Sequence, residues 1–343
     1  MNPSDLQLIR ITSLFPSILL SMVLALGLAP GAIGLSRRLG LLDVPGSSWH
    51  KLHESSMPMG GGMVIAACLL VSTLWSHWLA TPQAIGILAG GLLVFGFGLW
   101  DDAKGAAAPQ KLLGQFLGAA ILVATGTQVR LFTNPALNLG LTVFWIVGVV
   151  NAFNFVDSMD GLALGLAGIA ASFFMLVSIE SEQPALSKLV APIVGACIGL
   201  YAFNVHPARL FLGDSGSQLL GFMLAAVGVA YNPLGLERLS SWFVPILVLA
   251  VPIFDTSLVV FSRLRGRRPV YRAGRDHTYH RLVALGLQPT RAVVAMQTVG
   301  IAVGLLAFVA LNSGPVASNA LFGLAALLGG GFLIYFETKA SAQ

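Results

Sequence analysis

Apolar runs of about 20 residues recur from one end of this 343-residue chain to the other, each long enough to cross the ~30 Å hydrocarbon layer of a bilayer as one helix. No soluble core absorbs so many of them. With 56% hydrophobic and 10% charged residues and a mean hydropathy of +0.83, the composition excludes an ordinary globular domain. Inside lipid the backbone must satisfy its own hydrogen bonds, which leaves helices as the reading for long, non-alternating runs. The expected spans are 11–35, 60–80, 83–100, 112–129, 139–156, 161–180, 186–204, 215–232, 241–262, 290–312 and 315–336. The fold class is therefore all-α, a polytopic membrane bundle of eleven helices in a single domain over 1–343. The first run, preceded by Asp5 and Arg10 and lacking a small-residue cleavage pattern, reads as a span and not as a removable signal.

Charge orients the bundle. Placing the N-terminus outside leaves only Arg10, Arg130, Lys188 and Arg238, of 19 basic residues, on the outer face. The net charge of +5 follows from this bias, and no nucleic-acid partner is expected. The same placement brings every polar motif to the cytoplasmic face, which points to one site at the inner membrane surface.

The densest motif is Asn151-Ala-Phe-Asn154-Phe-Val-Asp157-Ser-Met-Asp160-Gly161-Leu162, between two apolar runs. Polar groups at such an edge are costly and are kept for pairing or for chemistry. If the helix continued through them, Asn154, Asp157 and Asp160 would share an arc of roughly 120° and face one cavity. Asn151 would lie about 180° from Asp160, so it is expected to serve packing or the backbone. The plain alternative is capping, with Asp160 as N-cap of the next helix. Asp101 and Asp102 close the third run, with Lys104 and Lys111 after them. One carboxylate there marks a helix end; two can bind a divalent cation or raise one another's pKa, with Lys111 in reach of a phosphate. In Phe211-Leu-Gly213-Asp214-Ser215-Gly216-Ser217, Asp214 suits a hard cation and Phe211 offers a stacking face, while capping by Asp214 or Ser215 is the simpler alternative.

Asp255 lies within the run 241–262 and is expected to face a cavity. The basic loop after it contains Asp276-His277-Thr-Tyr-His280-Arg281, suited to phosphate contacts. Cys68 and Cys197 read as small buried hydrophobes. The glycine run 60–62 and spacings such as Gly86 with Gly90 suit close helix packing. Trp75, Trp78, Trp145 and Trp242 read as interfacial or packing aromatics.

Four of these blocks, in this order, resemble the polyprenyl-phosphate N-acetylhexosaminyl-1-phosphate transferases, the membrane family of WecA, TagO and MraY. They are Asp101-Asp102 with Lys111, the block 151–162, the block 211–217, and His277-Thr-Tyr-His280-Arg281-Leu282; Pro58-Met-Gly60-Gly61 looks like a fifth. The resemblance implies transfer of N-acetylhexosamine 1-phosphate from a UDP-sugar to undecaprenyl phosphate, releasing UMP, with Mg²⁺ or Mn²⁺ as cofactor. It implies a multi-pass protein of the bacterial inner membrane, with UDP-N-acetylhexosamine, undecaprenyl phosphate and membrane lipid as partners and a homodimer as one possible assembly. By the same resemblance Asp214 is the principal metal ligand and Asn154 a second. Phe211 stacks on uracil and Asp160 holds the nucleoside. Asp101, Asp102, Asp157 and Lys111 are catalytic, with the first two orienting or deprotonating the lipid phosphate. His277, His280 and Arg281 contact the sugar or diphosphate, and Asp255, from its place inside the run 241–262, is counted with the substrate-binding residues.

Members of the WecA and TagO type carry His-x-His-His where Tyr279 interrupts the run here, and the MraY branch carries a triple histidine that this loop lacks. This favours an initiator of O-antigen or a related envelope polysaccharide over the MraY-like peptidoglycan enzyme. A secondary transporter is the reading from another class; it would require paired repeats and polar sites near midplane. A purely structural scaffold would leave four acidic clusters unexplained.

Overall fold

The computed structural model describes residues 11–44, 56–75, 81–232, 241–270, 274 and 276–340. Expectations resting on Asp5, Arg10, Lys51, Trp78, Arg238, Arg272 and Arg275 lie outside them. The chain forms α1 (Phe15–Leu39), a short antiparallel pair β1 (Leu42–Asp43) and β2 (Met57–Pro58), then α2 (Gly61–Trp75), α3 (Pro82–Lys104), α4 (Ala108–Ala124) and α5 (Pro135–Val156). There follow α6 (Leu162–Glu180), α7 (Pro184–Asn204), α8 (Gly213–Ala230), α9 (Val244–Val248), α10 (Ala250–Arg265), α11 (Thr278–Ala284), α12 (Pro289–Leu311) and α13 (Pro315–Ala340).

This is a polytopic helical bundle, and the chain is a multi-pass membrane protein. Among the described residues seven helices, α1, α3, α5, α6, α7, α12 and α13, are long and apolar enough to cross a bilayer. The other expected spans coincide with helices that are shorter (α2, α4), that begin on an acidic residue turn (α8), or that are broken (α9 and α10). The break replaces the continuous helix expected over 241–262. Pro252 has no N–H for the carbonyl of Val248, and its ring crowds that turn, so α9 stops at Val248 and α10 restarts beyond Leu249.

Helix starts are written locally. Proline occupies the first turn of α3, α4, α5, α7 and α12, where a missing N–H costs nothing. The Thr81 hydroxyl accepts from Ala84 N and the Asn134 amide oxygen from Ala136 N, satisfying end donors of α3 and α5.

Helices α6, α7 and α8 form the centre, with Phe174, Ile193 and Phe222 fully enclosed. By contrast α13 leaves Leu324, Leu327, Leu328 and Phe332 exposed, a face suited to hydrocarbon. Trp145 donates from Nε1 to Ala225 O at 3.0 Å, and Trp242 stands edge-on to Phe322, so both are packing aromatics. Cys68 and Cys197 are buried and free.

Because successive long helices run antiparallel, the C-termini of α1, α3, α5, α7 and α10 and the N-termini of α2, α4, α6 and α8 meet at one end. Backbone contacts stitch that end together. Phe211 N donates to Pro58 O, and Gly61 N and Gly62 N donate to the carbonyls of Phe211 and Leu212. The glycine run that opens α2 thus abuts the start of α8. A Cβ on Gly98 of α3 would lie 2.6 Å from Ser215 Cα, so only glycine permits that approach.

Candidate active site

The carboxylates expected at one face do meet there, but several do so in roles the spacing alone does not suggest. Asp102 turns both oxygens on the first turn of α8, accepting from Asp214 N at 2.7 Å and Ser215 N at 3.1 Å. It supplies from α3 the N-terminal cap that the sequence reading offered to Asp214 or Ser215. Gly213 makes this possible: its φ is +71°, and a Cβ there would sit 2.6 Å from Asp102 Oδ2. Asp101 accepts from Ala106 N at 2.5 Å and pairs with Lys111, whose ammonium also contacts Asp214. Lys111 is therefore a bridge between two carboxylates. On the other side, Asn154 Nδ2 donates to Asp214 Oδ1 at 2.6 Å and to Ser217 Oγ at 3.2 Å.

Helix α5 ends at Val156, so Asn154, Asp157 and Asp160 do not share one helical arc, and that expectation is corrected. Asp157 follows the last turn with φ −80° and ψ 53°, and among the described residues no hydrogen-bond donor reaches its half-buried carboxyl. Burial first, then the charges of Asp214, Asp102, Asp160 and Asp43, push the Asp157 carboxyl well above the usual carboxylate range. Asp160 turns away to the loop after α7, where its Oδ2 meets His206 Nδ1 at 2.9 Å and accepts from Ala208 N at 3.1 Å. It does not cap α6. The residue before α6 is Gly161, with φ +74°, whose N–H is received by Asn204 Oδ1 at 3.2 Å. Phe211 is half-buried, its backbone bridged to Met59. Asn151 bonds to Gln115 Oε1 and to Val147 O, each at 2.7 Å, which is a packing role.

The histidine loop forms a second cluster. Asp255 is 1% exposed, and its oxygens take Thr278 N at 2.6 Å and His277 Nδ1 at 2.8 Å, so it does not line a cavity. The His277 ring stands edge-on to Phe155 with centroids 6.1 Å apart, touching the segment that carries Asn154 and Asp157. Tyr279 OH meets His280 Nε2 at 2.7 Å. Arg281 is buried: it donates to Glu337 Oε1 at 2.5 Å, to Ser262 Oγ at 2.8 Å and to Asp276 O at 3.2 Å. Its Nε and Nη2 are thus committed to protein groups, while Nη1 is enclosed without a hydrogen-bond partner among the described residues. Asp276 pairs with Arg263 and Arg268; burial opposes its charge, but these two hydrogen bonds prevail and hold its carboxyl below the usual range.

Residues to which no role was assigned from sequence also contribute. Glu337, Ser217, His206, Arg263 and Asp43 all bear on these clusters. A lone glutamate ending an apolar helix was the available signal for Glu337; its partner 56 residues away was not.

The first cluster fits a hard cation. Asp101 and Asp214 converge on the one ammonium of Lys111, with Asn154 beside them and Asp157 close enough to feel the charges of Asp214 and Asp102. Among the described residues no three acidic, histidine or cysteine side chains form a complete cage. One or two carboxylates supplemented by phosphate oxygens is the arrangement Mg²⁺ favours.

Known proteins bear on this geometry. Residues 84–232 match the family model for glycosyl transferase family 4. The chain is similar to a probable undecaprenyl-phosphate N-acetylglucosaminyl 1-phosphate transferase of Bacillus subtilis, 31% identical over 86% of this chain and 84% of the relative. It is likewise similar to a decaprenyl-phosphate N-acetylglucosaminephosphotransferase of Mycobacterium tuberculosis, 31% identical over 81% of this chain and 77% of that protein. A phospho-N-acetylmuramoyl-pentapeptide-transferase of Levilactobacillus brevis is 34% identical over 54% of this chain and 64% of its own length.

Proposed function

The chain belongs to the polyprenyl-phosphate hexosamine-1-phosphate transferase family, and from that premise we propose that it transfers N-acetylhexosamine 1-phosphate from a UDP-sugar to undecaprenyl phosphate. A lipid phosphate oxygen attacks the phosphorus bearing the sugar, the phosphoanhydride bond to UMP breaks, and the products are a lipid-linked sugar diphosphate and UMP. The observation that carries this reading is the convergence of Asp101, Lys111, Asn154, Asp157 and Asp214 at one end of a membrane bundle. Two phosphate-bearing substrates repel each other, and a site that joins them needs opposite charge held in fixed positions.

Asp214 and Asn154, with Asp101 across Lys111, would hold Mg²⁺ or Mn²⁺. When bound, the ion supplies charge neutralisation for the diphosphate. Asp102 keeps Asp214 in place through the first turn of α8. Lys111, already shared between carboxylates, is the ammonium available to orient a phosphate. Asp157, beside these groups with no hydrogen-bond donor on its carboxyl among the described residues, is the carboxyl placed to exchange a proton with the lipid phosphate. Phe211 offers a face to the uracil, and Asp160 with His206 flanks the nucleoside. We place the protein in the bacterial inner membrane with this end cytoplasmic, an orientation supported by the basic residues Arg37, Arg38, Lys104, Lys111, Arg263 and Arg265.

In the wider pathway we place the reaction at the first, lipid-charging step of O-antigen or related envelope polysaccharide synthesis. The partial similarity to a phospho-N-acetylmuramoyl-pentapeptide-transferase supports a second donor, UDP-N-acetylmuramoyl-pentapeptide. The test is UMP release by purified protein with Mg²⁺, undecaprenyl phosphate and a panel of both donor types. Release with UDP-N-acetylhexosamines alone is expected. Release only with the pentapeptide donor moves the chain to the peptidoglycan branch, and none with any donor, in folded protein, refutes transferase activity.

A further inference from the structure

Asp255 is an enclosed carboxylate in α10 that no part of the proposed chemistry uses. An enclosed charge of this kind is held only where it is paired and hydrogen-bonded. Its partners belong to a single turn: Oδ1 takes the backbone N–H of Thr278 and Oδ2 takes Nδ1 of His277. The first bond ties the start of α11 to α10. The second fixes both the rotation and the tautomer of the ring, since a carboxylate at Nδ1 requires the proton there. Among the described residues Nε2 meets no hydrogen-bond partner, and the ring rests edge-on against Phe155, between Asn154 and Asp157 in the chain. Arg263 lies over the same phenyl ring at 5.9 Å, so Phe155 is gripped from the loop side by two groups.

We infer that Asp255 is a positioning residue: it holds the His277 imidazole through Nδ1 so that Nε2 is the atom offered to the phosphates of the substrates. It does not itself touch substrate. This inference rests on the proposed transferase activity for its kinetic test, but not for its structural one.

The kinetic test is a double-mutant cycle on UMP release. Asp255→Asn keeps an oxygen for Thr278 N while removing the carboxylate from His277. Loss of such an orienting partner lowers turnover by about 10- to 100-fold. In a His277→Asn background the same change should alter turnover less than about twofold, because the two residues act as one unit. Losses that multiply would overturn the inference, since Asp255 would then act independently of His277. The second test needs no activity. In ¹⁵N-histidine-labelled protein, the His277 ring, identified by its absence in His277→Asn, should carry its proton on Nδ1. A bare Nδ1 would overturn the assignment even if Asp255→Asn fails to fold. A silent wild-type enzyme showing the expected ring signature would instead count against the transferase reading alone.

Discussion

The bundle carries two polar clusters at the same end, built on opposite principles. Around Asp214, carboxylates outnumber cations among the described residues: Asp101, Asp102 and Asp157 stand with it about the ammonium of Lys111. In the histidine loop each described carboxylate is instead matched by a basic group. Asp276 holds Arg263 and Arg268, Glu337 holds Arg281 and Arg265, and Asp255 holds His277. A cluster left out of balance is one that expects something to bind; a balanced one holds its own loop in place. The contrast separates two kinds of residue that look alike in sequence, since Arg281 and Lys111 are both basic residues beside apolar segments.

Substitutions can break this contrast. The largest effect is expected from Asp214→Ala, which removes the carboxylate shared by Lys111 and Asn154. Turnover should fall by about 10³-fold, the scale of losing a group that stabilises transition-state charge, and Mg²⁺ should no longer raise the melting temperature. Unchanged turnover would end the role of Asp214. Glu337→Ala should damage the balanced cluster instead. It strands a buried Arg281, a loss of about 3–5 kcal/mol, visible as a lower melting temperature in detergent. If melting is unchanged while activity collapses, Arg281 belongs to the site and not to the scaffold.

Asp157→Asn should do the reverse. The folded-state pKa of Asp157 is raised, so the folded protein retains a proton that the unfolded chain gives up near pH 4. Stability therefore falls as pH rises through that window, and a residue that cannot ionise escapes the loss. In metal-free buffer the variant should melt higher than wild type, by a margin that grows with pH, while losing activity. For Asp276 the sign is opposite. Its lowered pKa contributes stability above about pH 4 that is lost as pH falls through the folded value. Asp276→Asn should thus be less stable at neutral pH and converge on wild type in acid. The smallest effect is expected at Asn151→Ala, which leaves Gln115 without one donor and should cost about 1–3 kcal/mol with turnover retained.

Much of the fold was legible because hydrophobic length is a local property. A run such as 161–180 is apolar enough to be a span whatever surrounds it, and α6 occupies it almost residue for residue. The proline starts and the gathering of motifs at one end follow from local chemistry and antiparallel alternation. The break at Leu249 was written in Pro252 and could have been read there. Less legible was what each polar group does, because capping and chemistry draw on the same residue types. Asp160 and Asp214 both looked like caps; neither is one, while Asp102 caps α8 from another helix.

By itself the sequence determined that this is a membrane bundle whose polar motifs stand at the ends of its apolar runs, since burial in lipid depends on composition along the chain. Tertiary structure alone decided the partnerships. Asp102 with the first turn of α8, Lys111 between Asp101 and Asp214, Asp255 with His277 and Arg281 with Glu337 join residues up to 113 positions apart. A carboxylate's role is set by what faces it in space, and that depends on how the helices pack.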